Sequence, residues 1–318
     1  MAAKSPDKLA LAALDTALSQ VVAAVKADPS SATVRRVRDG LTKHFEAVEK
    51  ARSEADPVST PLTSFDPSDP KTVGRMVSLA LLAQPMVPLA AVKPAYGSGV
   101  YAIYYTGDHP LYERISGTET PIYVGKADPS NGDASTAREQ GPRLTARLIE
   151  HAGTIATAEK YAIEHTLPPG LSALRLADFR CRRLVCATNA QLVAERHLIR
   201  MFWPVWNSDT KACWGMSKHG DAASTRRNKR SPWDVVHPGR IWALDEQLEN
   251  NATADEVAAR INAILDEYPP RTDHAALLEE MLVAFRQDAG GDSDLAEASP
   301  LRDVPGPTED EAGGPNDD

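Results

Sequence analysis

The chain has little of what marks a secreted or membrane protein. It has three cysteines in 318 residues, Cys181, Cys186 and Cys213. That number is odd and small, so a disulfide framework is excluded and a reducing cytoplasm fits. No run reaches about 18 apolar residues free of charge, which by that criterion excludes a transmembrane helix. The chain opens MAAKSPDK without the apolar core of a secretory signal, so a cytoplasmic location is expected. No Gly-rich phosphate loop of the Rossmann or Walker type is present. No Cys-x-x-Cys spacing is present either, and Cys181 and Cys186 fall on opposite faces of a strand, which argues against a structural zinc. A basic excess is also missing. The chain holds 35 Lys and Arg against 44 Asp and Glu, a net charge of -9.

The placement of that charge matters more than its sum. Residues 288–318 hold ten acids and one base, Arg302, so the whole of the -9 lies there. This stretch is rich in Gly, Pro and Ser and reads as an acidic disordered tail that aids solubility. The remaining residues are formally neutral. Within them, Leu171 to Arg240 carries thirteen Lys and Arg against five Asp and Glu, a net of +8. A local basic excess is the electrostatic footprint of a phosphate-bearing partner.

The pattern along the chain predicts an α+β protein. Apolar residues at helical spacing over 6–28 and an amphipathic run over 31–55 give an N-terminal helical extension, residues 1–56. Residues 57–70 are Pro- and Ser-rich and read as a linker. A short helix is expected from Lys71 to Leu82. Strands are expected at Gly99–Tyr105, Pro121–Gly125 and Leu176–Cys186, bounded by glycine and turn residues. Helices are expected from Arg143 to about His151, and from a cap at Asn189 to about Phe202. Residues 205–240 read as basic and irregular, and 241–287 as a C-terminal extension of two helices. Adjacent strands without a crossover helix imply a small antiparallel three-stranded sheet flanked by helices.

Candidate chemical residues follow from these placements. A period of two sets Tyr101, Ile103 and Tyr105 on one face of the first strand and Tyr104 on the other. Tyr123 shares a face with Gly125. Tyrosines on neighbouring strands are ordinarily packing residues. Arg143, Arg147 and His151 recur at i, i+4 and i+8, one stripe of a helix whose residue types can contact phosphate. Glu195 sits within a helix, where a carboxylate ordinarily pairs with a neighbouring arginine. Asn207 follows the bulky run Phe202-Trp203-Pro204-Val205-Trp206.

Taken in order, Gly99-Val100-Tyr101, Tyr123-Val124-Gly125, Arg147-x-x-x-His151, Glu195 and Asn207 resemble the GIY-YIG nuclease superfamily. Val100 and Val124 stand where that family has Ile. The resemblance covers about residues 70–240, within an expected nuclease and DNA-binding domain of 71–240. It is closest to the type II restriction endonuclease branch, whose similar members recognise CCGCGG. It implies that Glu195 holds one Mg²⁺, with Mn²⁺ as a substitute, and that Arg147 holds the scissile phosphate. Tyr101 would orient or deprotonate the water, with help from His151 or Lys126. Tyr123 would bond the phosphate or water, and Asn207 would orient the active-site groups or the DNA backbone. Which group takes the proton stays open.

Arginine and lysine are the most frequent readers of guanine. Expected DNA contacts are therefore Arg143, Arg180, Arg182, Arg183, Lys218, Arg226, Arg227, Lys229 and Arg230. A palindrome read symmetrically implies a homodimer on double-stranded DNA. A host carrying such an enzyme needs a cognate DNA methyltransferase as a genetic partner. The terminal helices are expected to add dimer contacts, wrap DNA or aid solubility. The competing readings are a non-catalytic DNA-binding protein on the same fold and a repair or mobile-element nuclease.

Overall fold

In the computed structural model the described residues are 5–55, 65–187, 189–217, 224 and 226–288. Two units are distinguished, one holding the N-terminal hairpin and one spanning residues 64–291. Lys218 and the acidic tail after Asp288 lie outside the described residues.

The hairpin consists of α1, Pro6–Ala27, and α2, Ser31–Ala55. Pro6 takes the first helical position, where its missing N–H is no loss. Asp28 in the connecting turn accepts from the Ser30 N–H at 3.1 Å and from the Thr33 hydroxyl. Leu14, Leu18, Val34, Leu41 and Phe45 line a groove between the two helices. One expectation changes here. By length and composition α1 is apolar enough to cross a membrane. Asp15 interrupts the run, which is why a charge-free criterion passes over it.

In the second unit, α3 runs Pro70–Leu82, with Asp69 capping it through the Thr72 N–H at 3.0 Å. A two-residue strand follows, β1, Val87–Pro88. Then come β2, Gly99–Tyr105, β3, Tyr123–Ala127, and the short α4, Ala137–Gln140. Next are α5, Arg143–Glu164, β4, Phe179–Val185, and α6, Gln191–Phe202. The segment expected to be irregular contains α7, Pro232–Val236. Two C-terminal helices close the unit, α8, Ala254–Glu267, and α9, His274–Asp288.

The sheet has four strands in the order β1-β4-β2-β3, all antiparallel. The three expected strands are its body, and β1 adds a short edge. Strand β2 is central and every residue of it is buried. Its alternation feeds two cores. Tyr101, Ile103 and Tyr105 pack with Leu144, Leu148 and Ile155 of α5 and with Trp206. Val100, Ala102 and Tyr104 pack with Leu81 and Leu82 of α3 and Ala194 and Leu198 of α6. Gly74 lets α3 approach α6, because a Cβ there would lie 3.1 Å from the Val193 carbonyl oxygen.

Several details depart from the sequence reading. Helix α5 continues thirteen residues past His151, to Glu164. Ala190, not Asn189, caps α6, and the Asn189 amide oxygen meets only the Gln191 side chain. The helices after residue 241 are not loose appendages. Val257, Ile261 and Leu265 of α8 enter one core, and Leu277 and Met281 of α9 enter the other.

Arg182 is a structural residue, contrary to its expected place on DNA. It is 5% exposed and stacks over the Tyr104 ring. It donates to the Gln84 carbonyl at 2.9 Å and to Glu119 at 2.7 Å. Glu119 also meets His274 of α9 at 3.0 Å, so this pair ties the sheet to the C-terminal helix. Removing one partner of such a pair leaves an uncompensated charge, at a cost of about 3–5 kcal/mol. Arg182→Ala is therefore expected to lower the unfolding free energy by about that amount in urea titration. A loss under about 1 kcal/mol, typical of exposed pairs, would return Arg182 to the surface.

Candidate active site

The candidate site is built around the free edge of β3. Tyr101 on β2 pairs with Gly125 on β3. The Tyr101 ring lies across that glycine, and a Cβ on Gly125 would come within 2.5 Å of the phenol oxygen. Gly125 is thus the space into which the tyrosine leans. From the same sheet face, α5 presents its stripe as a graded line. Arg143 is exposed, Arg147 half-buried and His151 buried. The Tyr101 hydroxyl lies 2.7 Å from His151 Nε2, and the Tyr123 ring packs edge-on against His151. Arg147 faces both tyrosines electrostatically and pairs with Glu150 at 2.7 Å.

Burial sets the protonation of these groups. It pushes Tyr101 well above 10, with Tyr123 adding to the rise. It pushes Tyr123 up to about 12. Burial, helped by the Arg147 charge, drops His151 to about 3. At neutral pH both phenols keep their protons and His151 is an uncharged imidazole with one lone pair free.

Glu195 reaches the same strand from the other sheet face, on α6. Burial raises it to about 7, the Lys126 ammonium and main-chain N–H oppose the rise, and Asp128 and Asp209 add to it. Lys126 follows Gly125 directly, so the period of two turns it to the face opposite Tyr101, where it pairs with Asp128. Asp128 and Asp209, which act on Glu195, were not singled out from the sequence. Each lies two residues beyond a residue that was, Lys126 and Asn207, and that spacing is the only signal that could have found them.

Asn207 holds the strand rather than facing solvent. It is 6% exposed. Its amide oxygen accepts from the Val124 N–H at 2.9 Å, and its amide nitrogen donates to the Val124 carbonyl at 2.8 Å. It supplies the two bonds a further strand would have made.

The expected DNA-contact residues divide sharply. Arg143, Arg180 and Arg227 are exposed. Arg183 pairs across from Tyr101, is half-buried, and keeps Nη1 buried with no partner among the described residues. Three members of the basic run are committed to structure instead. Arg226 stacks on Trp242 at 3.9 Å, Lys229 pairs with Glu249 at 2.7 Å, and Arg230 donates to the Ala243 and Asp245 carbonyls at 2.6 Å each. The three cysteines are buried and free.

Among the described residues no group of three or more His, Cys, Asp or Glu is arranged to hold a metal ion. A cation here would have Glu195 as its protein ligand and would keep most of its water. That suits Mg²⁺, which dehydrates reluctantly and is often bound through one or two carboxylates plus phosphate. The raised pKa of Glu195 records the same opening, since a buried carboxylate beside two others gains from a cation. Its stability consequence has a definite sign. A carboxyl raised from 4.5 to about 7 costs stability as pH climbs through that range, because the native state holds its proton longer. Glu195→Gln is expected to match the parent Tm near pH 4 and exceed it by a few degrees at pH 8. Mg²⁺ should raise the parent Tm at pH 8 and leave the variant unchanged. Equal melting curves at both pH values would show that Glu195 is not strained by burial.

Asn207→Ala should remove both edge bonds and cost about 1–3 kcal/mol, the penalty for an unsatisfied buried backbone group. Chemical denaturation measures it. A neutral result would mean that water replaces the amide.

A comparison with known families bears on this geometry. No curated protein matches the chain. The family model of the Eco29kI GIY-YIG domain matches residues 93–265, more than half of the chain. The matched span takes in β2, β3, α5, β4 and α6, and runs on through most of α8. The chain belongs to the Eco29kI GIY-YIG family, a family of restriction-type nucleases.

Proposed function

We propose that the chain is a Mg²⁺-dependent type II restriction endonuclease that hydrolyses phosphodiester bonds of double-stranded DNA at a GC-rich palindrome, CCGCGG. The observation that carries this reading is the meeting of Tyr101, Tyr123, Arg147 and His151 with Glu195 around one strand edge.

In this reading Glu195 would hold the metal ion, which when bound would supply charge neutralisation for the phosphoryl group. Arg147 anchors the scissile phosphate. Its pair with Glu150 takes one of its five donors and sets the orientation of the others. Tyr101 aligns the attacking water in line with the leaving oxygen. His151 Nε2 holds the Tyr101 hydroxyl at 2.7 Å, so Tyr101 orients the water as a neutral phenol, in keeping with its strongly raised pKa. Tyr123 donates to a phosphate oxygen. Asn207 keeps β3, and with it Tyr123 and Gly125, in place.

A palindromic site calls for two copies of this centre, so the working form is a homodimer. The gene for a cognate methyltransferase should lie beside this one, and the enzyme works in the cytoplasm. Glu195→Gln tests the reading. It should abolish cleavage of plasmid DNA in Mg²⁺ while binding to the same site in Ca²⁺ persists within a few fold. Retained cleavage would take the metal away from Glu195.

A further inference from the structure

A cleft of about 390 Å³ is lined by Ser208, Lys211, Trp214, Arg227, Asn251 and Arg260. Three cations reach it from three separate segments. Lys211 ends the 3₁₀ turn Ser208–Thr210, Arg227 sits in the loop before α7, and Arg260 lies on α8. None of the three has an acidic partner among the described residues. This distinguishes Arg227 from Arg226, Lys229 and Arg230, its tethered neighbours. Among the described residues no acid lines the cleft.

The cleft is held in shape. The Asn251 amide donates to the Arg226 and Arg230 carbonyls at 3.1 and 3.0 Å, which fixes the loop on both sides of Arg227. The Trp214 carbonyl accepts from the Trp233 N–H at 3.1 Å. Arg260 stands on the outer face of α8, whose inner face buries Val257 and Ile261. Lys211 and Arg227 both hold left-handed backbone, with φ of 54° and 53°. That conformation is uncommon outside glycine and tends to collect at ligand sites. Here both instances point a cation into one cleft.

The chain also ties the cleft to the catalytic groups. Asn207 clamps β3, Asp209 acts on Glu195, and Lys211 follows two residues later.

We propose that this cleft is a second phosphate subsite, taking the DNA backbone beside the scissile bond. Lys211, Arg227 and Arg260 neutralise the phosphate, and Trp214 offers its sugar an apolar wall. The inference rests on the nuclease reading above and adds residues that the sequence did not suggest, Lys211, Trp214 and Arg260. Such a contact positions DNA without reading its bases.

The test measures binding of a cleavable plasmid fragment in Ca²⁺ over a range of salt. The variants are Lys211→Asn, Arg227→Asn and Arg260→Gln, singly and together. Asn adopts left-handed backbone readily, so the first two remove charge and keep the local fold. Each change should lower the slope of log K against log salt, and the triple change should remove about 0.9 of it in all and weaken binding more than about tenfold at ~0.1 M salt. In Mg²⁺ the triple variant's KM should rise by more than its kcat falls. Lys211→Arg should restore the slope, and Lys160→Gln, on an exposed ion pair of α5, should leave it unchanged. An unaltered slope in the triple variant, with the parent chain cutting normally, would overturn the subsite alone. A parent chain that neither bound nor cut DNA would overturn the nuclease reading and this inference with it.

Discussion

Strand β3 is the outer strand of its sheet, and an outer strand must satisfy the backbone groups that face away from its partner. Asn207 does this at Val124, with one amide serving as both acceptor and donor. The Lys126 N–H, two residues on, faces Glu195. The same edge is therefore closed at one residue and turned to carboxylate chemistry at the next. Between them sits Gly125, whose missing side chain admits the Tyr101 ring. Glycine, asparagine and glutamate are required by three consecutive features of one strand edge.

Burial then differentiates groups that would behave alike in water. Tyr101 and His151 meet inside the core, where neither carries charge at neutral pH. Arg147 lies nearer solvent and keeps its charge, positioned to meet a phosphate. Glu195 is held near neutrality, where a small change in pH or a cation alters its ionisation. The gradient along α5, from exposed Arg143 to buried His151, is the structural form of a simple i, i+4, i+8 repeat.

The elements of this site were legible in the sequence because they follow short periods. Alternation along GVYAIYY placed Tyr101 and Tyr104 on opposite faces, and the helix repeat aligned Arg147 with His151. Strand β1 was not legible, because two residues carry no period. The fate of the basic residues was not legible either. Lys229 is neutralised by Glu249, Arg182 by Glu119, and Arg230 by carbonyls of residues 243 and 245, partners brought close only by the fold. Local charge density marked a basic region, yet part of that charge, Arg182, Arg226, Lys229, Arg230 and Arg240, holds the protein together. Adjacency to Gly125 in sequence puts Lys126 on the opposite face of the strand from Tyr101, where it acts on Glu195.

The formal charge of -9 belongs to the last residues of the chain and says little about the folded body. What matters for DNA is which cations have no acidic partner among the described residues, and Arg180, Lys211, Arg227 and Arg260 bear on that more directly than any sum. The central claim is that the edge of β3 assembles a metal-dependent, site-specific nuclease. Incubating plasmid DNA with the protein and Mg²⁺, then sequencing the fragment ends, tests it most directly. The account requires double-strand ends that share one GC-rich palindrome and vanish when EDTA replaces Mg²⁺. Intact plasmid, or ends scattered without a common sequence, would contradict it.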